Sequence, residues 1–409
     1  MEYQIHTLKN GIRLVHRQVK GEVAHCGLMI NTGTRDEKED ESGIAHFIEH
    51  VIFKGTKKRK AYHILNRIEN VGGDLNAYTS KEETCIYASF LKNYYNRSLE
   101  LFSDIILNSI FPVKEIEKEK DVVIDEINSY KDSPSEEIYD EFEEMIFHDH
   151  PLGNNILGTP KSVRKINRNK VINFIKRNYS GGRIVISSVG DISFARLIKS
   201  VEKYFSDVPL NNIDLDRSLT REYKPSQKSV KKNNYLSHCC IGNVAYERNS
   251  SKRIPLILLN NILGGPGMNS RLNLAIREKH GLTYTIESNY QPYSDTGIFA
   301  IYLGADADYL NKTLNLVKNE LSKLKNKKLG VMQLHIAKRQ LCGQHALSME
   351  SNIEEMFFMG KSILRINKVR SIQTIFEMIN DVSSEVLFDV ANEVFDESMQ
   401  STLIYNAKG

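Results

Sequence analysis

The first half of the chain alternates between two hydrophobic patterns. Short apolar runs bounded by turn residues predict strands, and longer stretches with apolar residues three and four apart predict helices. The predicted strands are 11–16, 26–30, 74–79 and 183–189, and the predicted helices are 42–53, 61–70 and 115–130. The pattern therefore indicates a protein that mixes strands with helices.

The pattern lapses between residues 207 and 228, where prolines, asparagines and aspartates occur without any sustained period. Such a stretch is typical of an interdomain linker, and we place the linker at 211–227. The predicted domains are therefore 1–210, which would hold the catalytic chemistry, and 228–409. A chain of 409 residues is long enough for two domains of this size.

The second half begins with a faint repeat of the first. Residues 236–241 echo residues 23–28, and in both halves the echo precedes a polar loop and then an apolar helix. An internal repeat of this kind favours a duplicated domain over two unrelated domains.

Composition and charge exclude several classes of protein. Charged residues are 26% of the chain and hydrophobic residues 41%, which excludes a largely disordered protein. The 55 basic and 51 acidic side chains give a net charge of +4, so we expect no nucleic-acid partner. No apolar run fits a signal peptide or a membrane-spanning helix, and the five cysteines lack Cys-x-x-Cys spacing. We therefore expect a cytoplasmic protein with reduced thiols and no membrane partner.

The segment His-x-x-Glu-His, from His46 to His50, carries the most specific chemical signal. On a helix the apolar residues around it form one stripe, and His46, Glu49 and His50 share the opposite side. Side chains four residues apart are neighbours, so both imidazoles can reach one metal ion. Zinc in catalytic sites keeps one position open for water, from which Glu49 could take a proton as general base. Two surface histidines, or core histidines satisfied by hydrogen bonds, are the alternatives.

A catalytic zinc site needs a third protein ligand, and the predicted helix 115–130 offers several acidic residues. Glu119 and Glu126 are seven residues apart and share one face of this helix. Spacing and face favour these two as the direct ligand without deciding between them. A solvated helix face interleaved with lysines is the alternative interpretation of the same acids.

Together these residues resemble a known family, the inverzincins of the pitrilysin and mitochondrial processing peptidase type. In that family a glutamate ligand follows the inverted motif by about 76 residues, and 126 − 50 = 76. The resemblance therefore selects Glu126 as the third ligand and gives Glu119 a supporting role beside it. Further family motifs are matched at 53–56, 75–80, 132–134, 150–153, 263–272 and 277–284. The resemblance covers nearly the whole chain.

The resemblance implies an α+β fold of two homologous domains, each a mainly antiparallel β-sheet covered by α-helices. It implies a zinc endopeptidase with one zinc ion per chain, held by His46, His50 and Glu126. Glu49 would activate the zinc-bound water and pass its proton to the leaving amine. Residues 258–262 replace the metal motif in the second half, so only the first half would carry metal.

The resemblance also assigns residues to the substrate. Arg277 would bind substrate carbonyl groups, and Tyr284, seven residues later, would stabilise the tetrahedral oxyanion. Asn76, Ala77, Tyr78 and Thr79 resemble the family's edge strand, which pairs with substrate backbone by strand addition. Because strand addition binds the peptide through its main-chain groups, we expect extended or unfolded peptides as substrates.

Family chains of this length pair and enclose a chamber. The zinc motif and the Arg/Tyr pair both occur here, which predicts a homodimer in a bacterial cytoplasm. A processing peptidase that trims specific precursors fits the same residues. A non-catalytic scaffold or partner subunit is a second alternative, and it would be signalled by the loss of a motif residue. His46, Glu49, His50 and Glu126 are all present.

Overall fold

The computed structural model describes residues 3–210, 215, 217 and 222–407. Among them are two β-sheets and a set of α-helices, named here in chain order. The helices are α1 Ile44–Val51, α2 Ala61–Glu69, α3 Tyr95–Asn108, α4 Val113–Lys131, α5 Pro134–Ile146, α6 Pro160–Arg164, α7 Arg168–Asn178, α8 Phe194–Phe205, α9 Arg253–Gly264, α10 Leu310–Asn326, α11 Val331–Ser348, α12 Asn352–Ile366, α13 Ile372–Asn380 and α14 Ser384–Val394.

The described residues pack as two compact units, each built around one sheet. Unit 1 takes its residues from Met1–Ile127, Asn154–Asp216 and Leu347–Ser371. Unit 2 takes its residues from Asn128–Gly153, Arg217–Ala346 and Ile372–Gly409.

The sheet of unit 1 has the spatial order β1-β2-β6-β3-β5-β4. Its strands are β1 Gln4–Thr7, β2 Arg13–Gln18, β3 Val23–Ile30, β4 Asp74–Thr79, β5 Thr84–Leu91 and β6 Ile184–Gly190. All neighbours are antiparallel except β2 and β6, which are parallel. β4 therefore lies at an edge, with one side of its backbone unpaired by any described strand of this sheet.

Both faces of this sheet are covered by helices. On one face the main core includes Phe47 and Ile48 of α1 and the apolar residues of α3, α7 and α8. On the other face Met356 and Met359 of α12 pack against Met29 and Val185 of the sheet. Because it is covered on both sides, β6 is buried along its whole length and reads as an unbroken apolar and small-residue run.

Unit 2 repeats this arrangement with the sheet order β7-β11-β8-β10-β9. Its strands are β7 Gln227–Lys232, β8 Ser237–Ala245, β9 Thr283–Pro292, β10 Gly297–Ala305 and β11 Ser401–Ala407. One face packs against α9, α10 and α14, and α5 covers the other. The predicted α+β architecture of two mainly antiparallel sheets covered by helices is confirmed, and each sheet holds a single parallel pair among its described strands.

The two units exchange segments along the chain. Residues 128–153, which include α5, pack in unit 2, and residues 347–371, which include α12, pack in unit 1. This exchange was not predicted from the sequence, which placed boundaries at 210 and 228. The local hydrophobic pattern indicates that a helix forms but not which sheet the helix covers. Most of the predicted linker 211–227 lies outside the described residues, and the division into 1–210 and 228–409 stays a prediction.

Two further features concern the helices and the cysteines. No helix of the described part is both long and apolar enough to cross a bilayer. All five cysteines are free thiols, and Cys26, Cys85, Cys239 and Cys240 are buried.

Candidate metal centre

The helix α1 carries the three motif residues on its partly accessible side. Ile44, Phe47, Ile48 and Val51 face the core of unit 1, as the apolar stripe predicted. His46 is only 7% exposed, whereas Glu49 and His50 are half-buried. The two imidazole rings lie with their centroids 4.8 Å apart and are tilted by 64°. One helix therefore holds both rings close enough to share an ion.

The N-terminus of α1 is capped from outside the helix by Glu37. Gly43 precedes the helix in the left-handed conformation, φ 87°, and offers no side chain to cap it. The carboxyl group of Glu37 accepts the backbone N–H of Gly43 at 2.9 Å and that of Ala45 at 2.8 Å. The carbonyl of Glu41 accepts the N–H of Ile44 at 2.9 Å. The loop before α1 thus accepts hydrogen bonds from Ile44 and Ala45, two of the N–H groups that a helix start leaves unpaired.

The helix α4 supplies the two glutamates that spacing did not distinguish. Oε1 of Glu126 lies 3.8 Å from Nε2 of His46, and its Oε2 lies 3.3 Å from Nε2 of His50. Glu119 instead faces the other ring nitrogen of His50, with Oε1 3.5 Å from Nδ1. Glu126 therefore lies near Nε2 of both histidines, whereas Glu119 lies on the opposite, Nδ1 side of His50.

The donor atoms of His46, His50 and Glu126 lie within 4.8 Å of one another. In the described part of the chain no other group of three or more His, Cys, Asp or Glu residues converges in this way. A tetrahedral zinc ion, about 2.0–2.1 Å from each nitrogen, places its donors roughly 3.4 Å apart. Side-chain movements of about an ångström would close these three residues on such an ion. Two histidines and one glutamate are also a donor set of catalytic zinc sites.

The ionisation of His46 suits a metal ligand. Burial, and then the nearby His50, lower the pKa of His46 to about 3. The ring is therefore neutral at neutral pH, which is the form that binds zinc. Its buried Nδ1 has no hydrogen-bond partner among the described residues.

Glu49 lies on the same helix between the two histidines. Burial raises the pKa of its carboxyl group, and the Thr79 hydroxyl and His50 act in the opposite direction. Its Oε2 is buried and has no hydrogen-bond partner among the described residues. A carboxylate with a raised pKa and an unpaired oxygen is suited to accept a proton.

The predicted substrate strand, Asn76 to Thr79, lies in the edge strand β4. Leu75 and Ala77 pack toward the core that contains α1, and Thr79 approaches Glu49. Tyr78 points to the other face, where its hydroxyl donates to Glu83 at 3.0 Å. Its side chain is therefore held within the protein, and β4 has one backbone edge unpaired by the described strands of its sheet.

Arg277 and Tyr284 lie together in unit 2. Arg277 lies on a π-helix, Asn273–Glu278, a rare element often found at functional sites. Its guanidinium carbon is 5.7 Å from the centroid of the Tyr284 ring. Tyr284, near the start of β9, is 82% exposed. Both residues line a cavity of about 920 Å³ in this unit.

Two residues around the site were not foreseen from the sequence. Glu37 lies six residues before Gly43 and matches no local capping motif, so only the folded loop shows its role. Lys54 belongs to the matched motif 53–56, which gave it no function, yet its ammonium lies 2.7 Å from Oε2 of Glu119.

Family models and known proteins match most of this chain. Residues 13–160 match the family model described as "Insulinase (Peptidase family M16)", and residues 165–341 match the model "Peptidase M16 inactive domain". The chain is similar to the "Uncharacterized zinc protease YmxG" of Bacillus subtilis, with 34% identity over 98% of this chain and 97% of that protein. An "Uncharacterized zinc protease" of Rickettsia felis is 31% identical over the same shares.

Two solved structures share the fold. A protease from Helicobacter pylori superposes with a TM-score of 0.89 at 24% identity, covering 99% of each chain. A structure described as the peptidase M16 inactive domain from Pseudomonas fluorescens has a TM-score of 0.92 at 20% identity, covering 100% of this chain and 98% of that one. The family predicted from the motifs is confirmed: the chain belongs to peptidase family M16.

Proposed function

We propose that this protein is a zinc-dependent endopeptidase that cleaves extended or unfolded peptides. The observation that carries the proposal is the convergence of His46, His50 and Glu126, with Glu49 beside them on α1. Membership of a peptidase family, and the zinc protease names of its relatives, support a hydrolytic role over a purely structural one.

Each residue would have a distinct task at the metal. His46, His50 and Glu126 would hold the ion. A bound zinc ion would supply Lewis-acid polarisation of the scissile carbonyl and of the attacking water. Glu49 would take one proton from that water and later deliver it to the amine nitrogen as the peptide C–N bond breaks.

The substrate would be held through its backbone. One side of β4 is unpaired by the described strands of its sheet, so an extended peptide could add to it as a further antiparallel or parallel strand. Side-chain selectivity would then be loose, because main-chain hydrogen bonds supply most of the binding. Arg277 would contact substrate carbonyl groups, and Tyr284 would donate its hydroxyl to the oxyanion.

We further propose that two copies of the chain enclose the reaction in a chamber, because one chain carries both the metal motif and the Arg/Tyr pair. The cytoplasm is the proposed location, which the five free cysteines support, since disulfides are rare in a reducing compartment.

The test is peptide cleavage by the wild type and by Glu49→Gln, each with its zinc content measured. Glutamine has nearly the same size as glutamate but cannot accept the proton. We expect the variant to keep its zinc and to lose about 10²–10⁴-fold in the cleavage rate of a quenched peptide library. Glu69→Gln, at the exposed end of α2, is the matched control and should cleave normally.

Undiminished cleavage by Glu49→Gln would contradict the assignment of the base. Absence of zinc from the active wild type would contradict the metal site. The cleavage positions found in the library would separate general degradation from the processing of specific precursors.

A further inference from the structure

Lys54 lies just after α1 and four residues beyond His50. Its Nζ is 2.7 Å from Oε2 of Glu119, whose Oε1 is 3.5 Å from Nδ1 of His50. The three side chains thus form a row: cation, carboxylate and imidazole. The opposite nitrogen of the same ring, Nε2, faces Glu126.

Glu119 is a buried carboxylate in contact with Lys54. Two carboxylates of α4 lie on the two sides of one imidazole, and either has the chemistry of a metal donor. The Glu119 side chain is 6% exposed, whereas that of Glu126 is 33% exposed. A buried carboxylate needs a compensating partner, and Lys54 is the cation in contact with it among the described residues.

We propose that Lys54 is a positioning residue that holds Glu119 against Nδ1 of His50. Glu119 then orients the His50 ring, as carboxylate partners of metal-binding histidines commonly do. Glu126, on the Nε2 side of the same ring, would be the carboxylate that meets the ion. The inference rests on the proposed zinc site and adds the residue that holds the outer partner of one of its ligands.

The first test is the affinity for zinc, measured by competition with a chelator on metal-free protein. We expect Lys54→Met to bind zinc about 10–100-fold more weakly than the wild type, the usual cost of losing an outer partner of a ligand. Lys54→Arg keeps the charge and should restore most of the affinity. Lys58→Met removes a charge from an exposed position of the same loop and should bind zinc like the wild type.

The second test uses cobalt(II), whose visible spectrum reports the donor set. In Lys54→Met the His50 ring would lose the contact that fixes its orientation, so the cobalt spectrum should differ from that of the wild type. In Lys54→Arg and Lys58→Met it should not change. A lysine that merely stabilised the fold would lower the unfolding temperature of the metal-free protein and leave this spectrum unaltered.

The third test is a double-mutant cycle between Lys54 and Glu119. If Lys54 acts through Glu119, then Lys54→Met should cost little further zinc affinity in a Glu119→Gln background. Equal losses in both backgrounds, or Lys54→Met behaving like Lys58→Met, would overturn the inference while leaving the zinc site intact. A wild type that binds no zinc would overturn the proposed function and this inference together.

Discussion

Glu37 is a buried carboxyl group whose two oxygens accept backbone N–H groups at the start of α1. Burial raises its pKa from the ordinary value of 4.5 to about 8, although the hydrogen bonds from Ala45 and Gly43 act to lower it. Desolvation therefore outweighs the two hydrogen bonds. The capping of the helix that carries the motif therefore depends on the protonation of a group outside the metal centre.

The raised pKa predicts how stability depends on pH. The folded protein binds this proton more tightly than the unfolded chain, so the contribution is complete below about pH 4.5 and is lost as pH rises through about 8. The free energy of unfolding of the wild type should therefore fall, relative to that of Glu37→Gln, between pH 5 and pH 8. The slope should be at most about 1.4 kcal/mol per pH unit.

Urea unfolding of the metal-free proteins at several pH values measures this difference. Glu39→Gln, at an exposed position of the same loop, should follow the wild type throughout. A constant difference between the wild type and Glu37→Gln would show that the carboxyl group does not titrate in this range.

At the scale of residues, the sequence could predict candidate site residues whose spacing along a helix indicates a metal site. His46, Glu49 and His50 belong to this group, and a family interval was needed to select Glu126. The structure brings them together. Glu37 and Lys54 could not be assigned, because each acts through a contact that only the fold creates. Their partners are the start of a helix for Glu37 and a glutamate 65 residues further on for Lys54 (119 − 54 = 65).

Among the elements, α12 shows how closely a helix from late in the chain fits the first sheet. A Cβ added to Gly27 of β3 would lie 2.7 Å from the sulfur of Met356, and one added to Gly360 of α12 would meet the sulfur of Met29. Each surface thus has a glycine where the other presents a buried methionine. Glu355 of α12 also pairs with Arg17 of β2.

The contact of Met29 with Gly360 makes Gly360→Ala a sharp test of this packing. Ala is normally the better helix residue by about 0.5–1 kcal/mol. Here the added methyl group displaces a methionine that is fully buried, and overpacking of this kind costs about 1–3 kcal/mol. The free energy of unfolding should therefore fall in Gly360→Ala.

Gly343→Ala in α11 is the control, because a Cβ at that position meets no atom within 4 Å. Chemical unfolding should show Gly343→Ala to be at least as stable as the wild type. If Gly360→Ala were equally stable, the methionine would have room to move and the fit between α12 and the sheet would be looser than described.

Element boundaries followed from local pattern where the pattern was strong. The helix predicted at 42–53 is Ile44–Val51, the one at 115–130 is Val113–Lys131, and the strand at 74–79 is found as predicted. The π-helix under Arg277 and the docking of α5 and α12 were not predicted. A single turn of π-helix, with its i→i+5 hydrogen bonds, is too short to leave a distinct hydrophobic period in the sequence. A docking partner depends on residues far away along the chain.

For the whole molecule, the exchanged segments make a prediction about cleavage in the predicted linker. Residues 347–371 belong to unit 1, and residues 128–153 belong to unit 2. A specific protease site introduced within 211–227 and then cut should therefore yield two fragments that elute as one species in gel filtration. The same sample in urea should separate into two. Separation under native conditions would contradict the exchange.

The exchange also has a consequence for the order in which the protein is made. The chain leaves the ribosome from its N-terminus, so the strands of the first sheet and the helices α1 and α4 emerge early. The face of that sheet formed by Val15, Met29 and Val185 stays uncovered until α12, which ends at residue 366 of 409, has also emerged. Nascent chains and products that terminate before α12 therefore display this apolar face, and exposed apolar surface of this kind makes partly folded chains prone to aggregate.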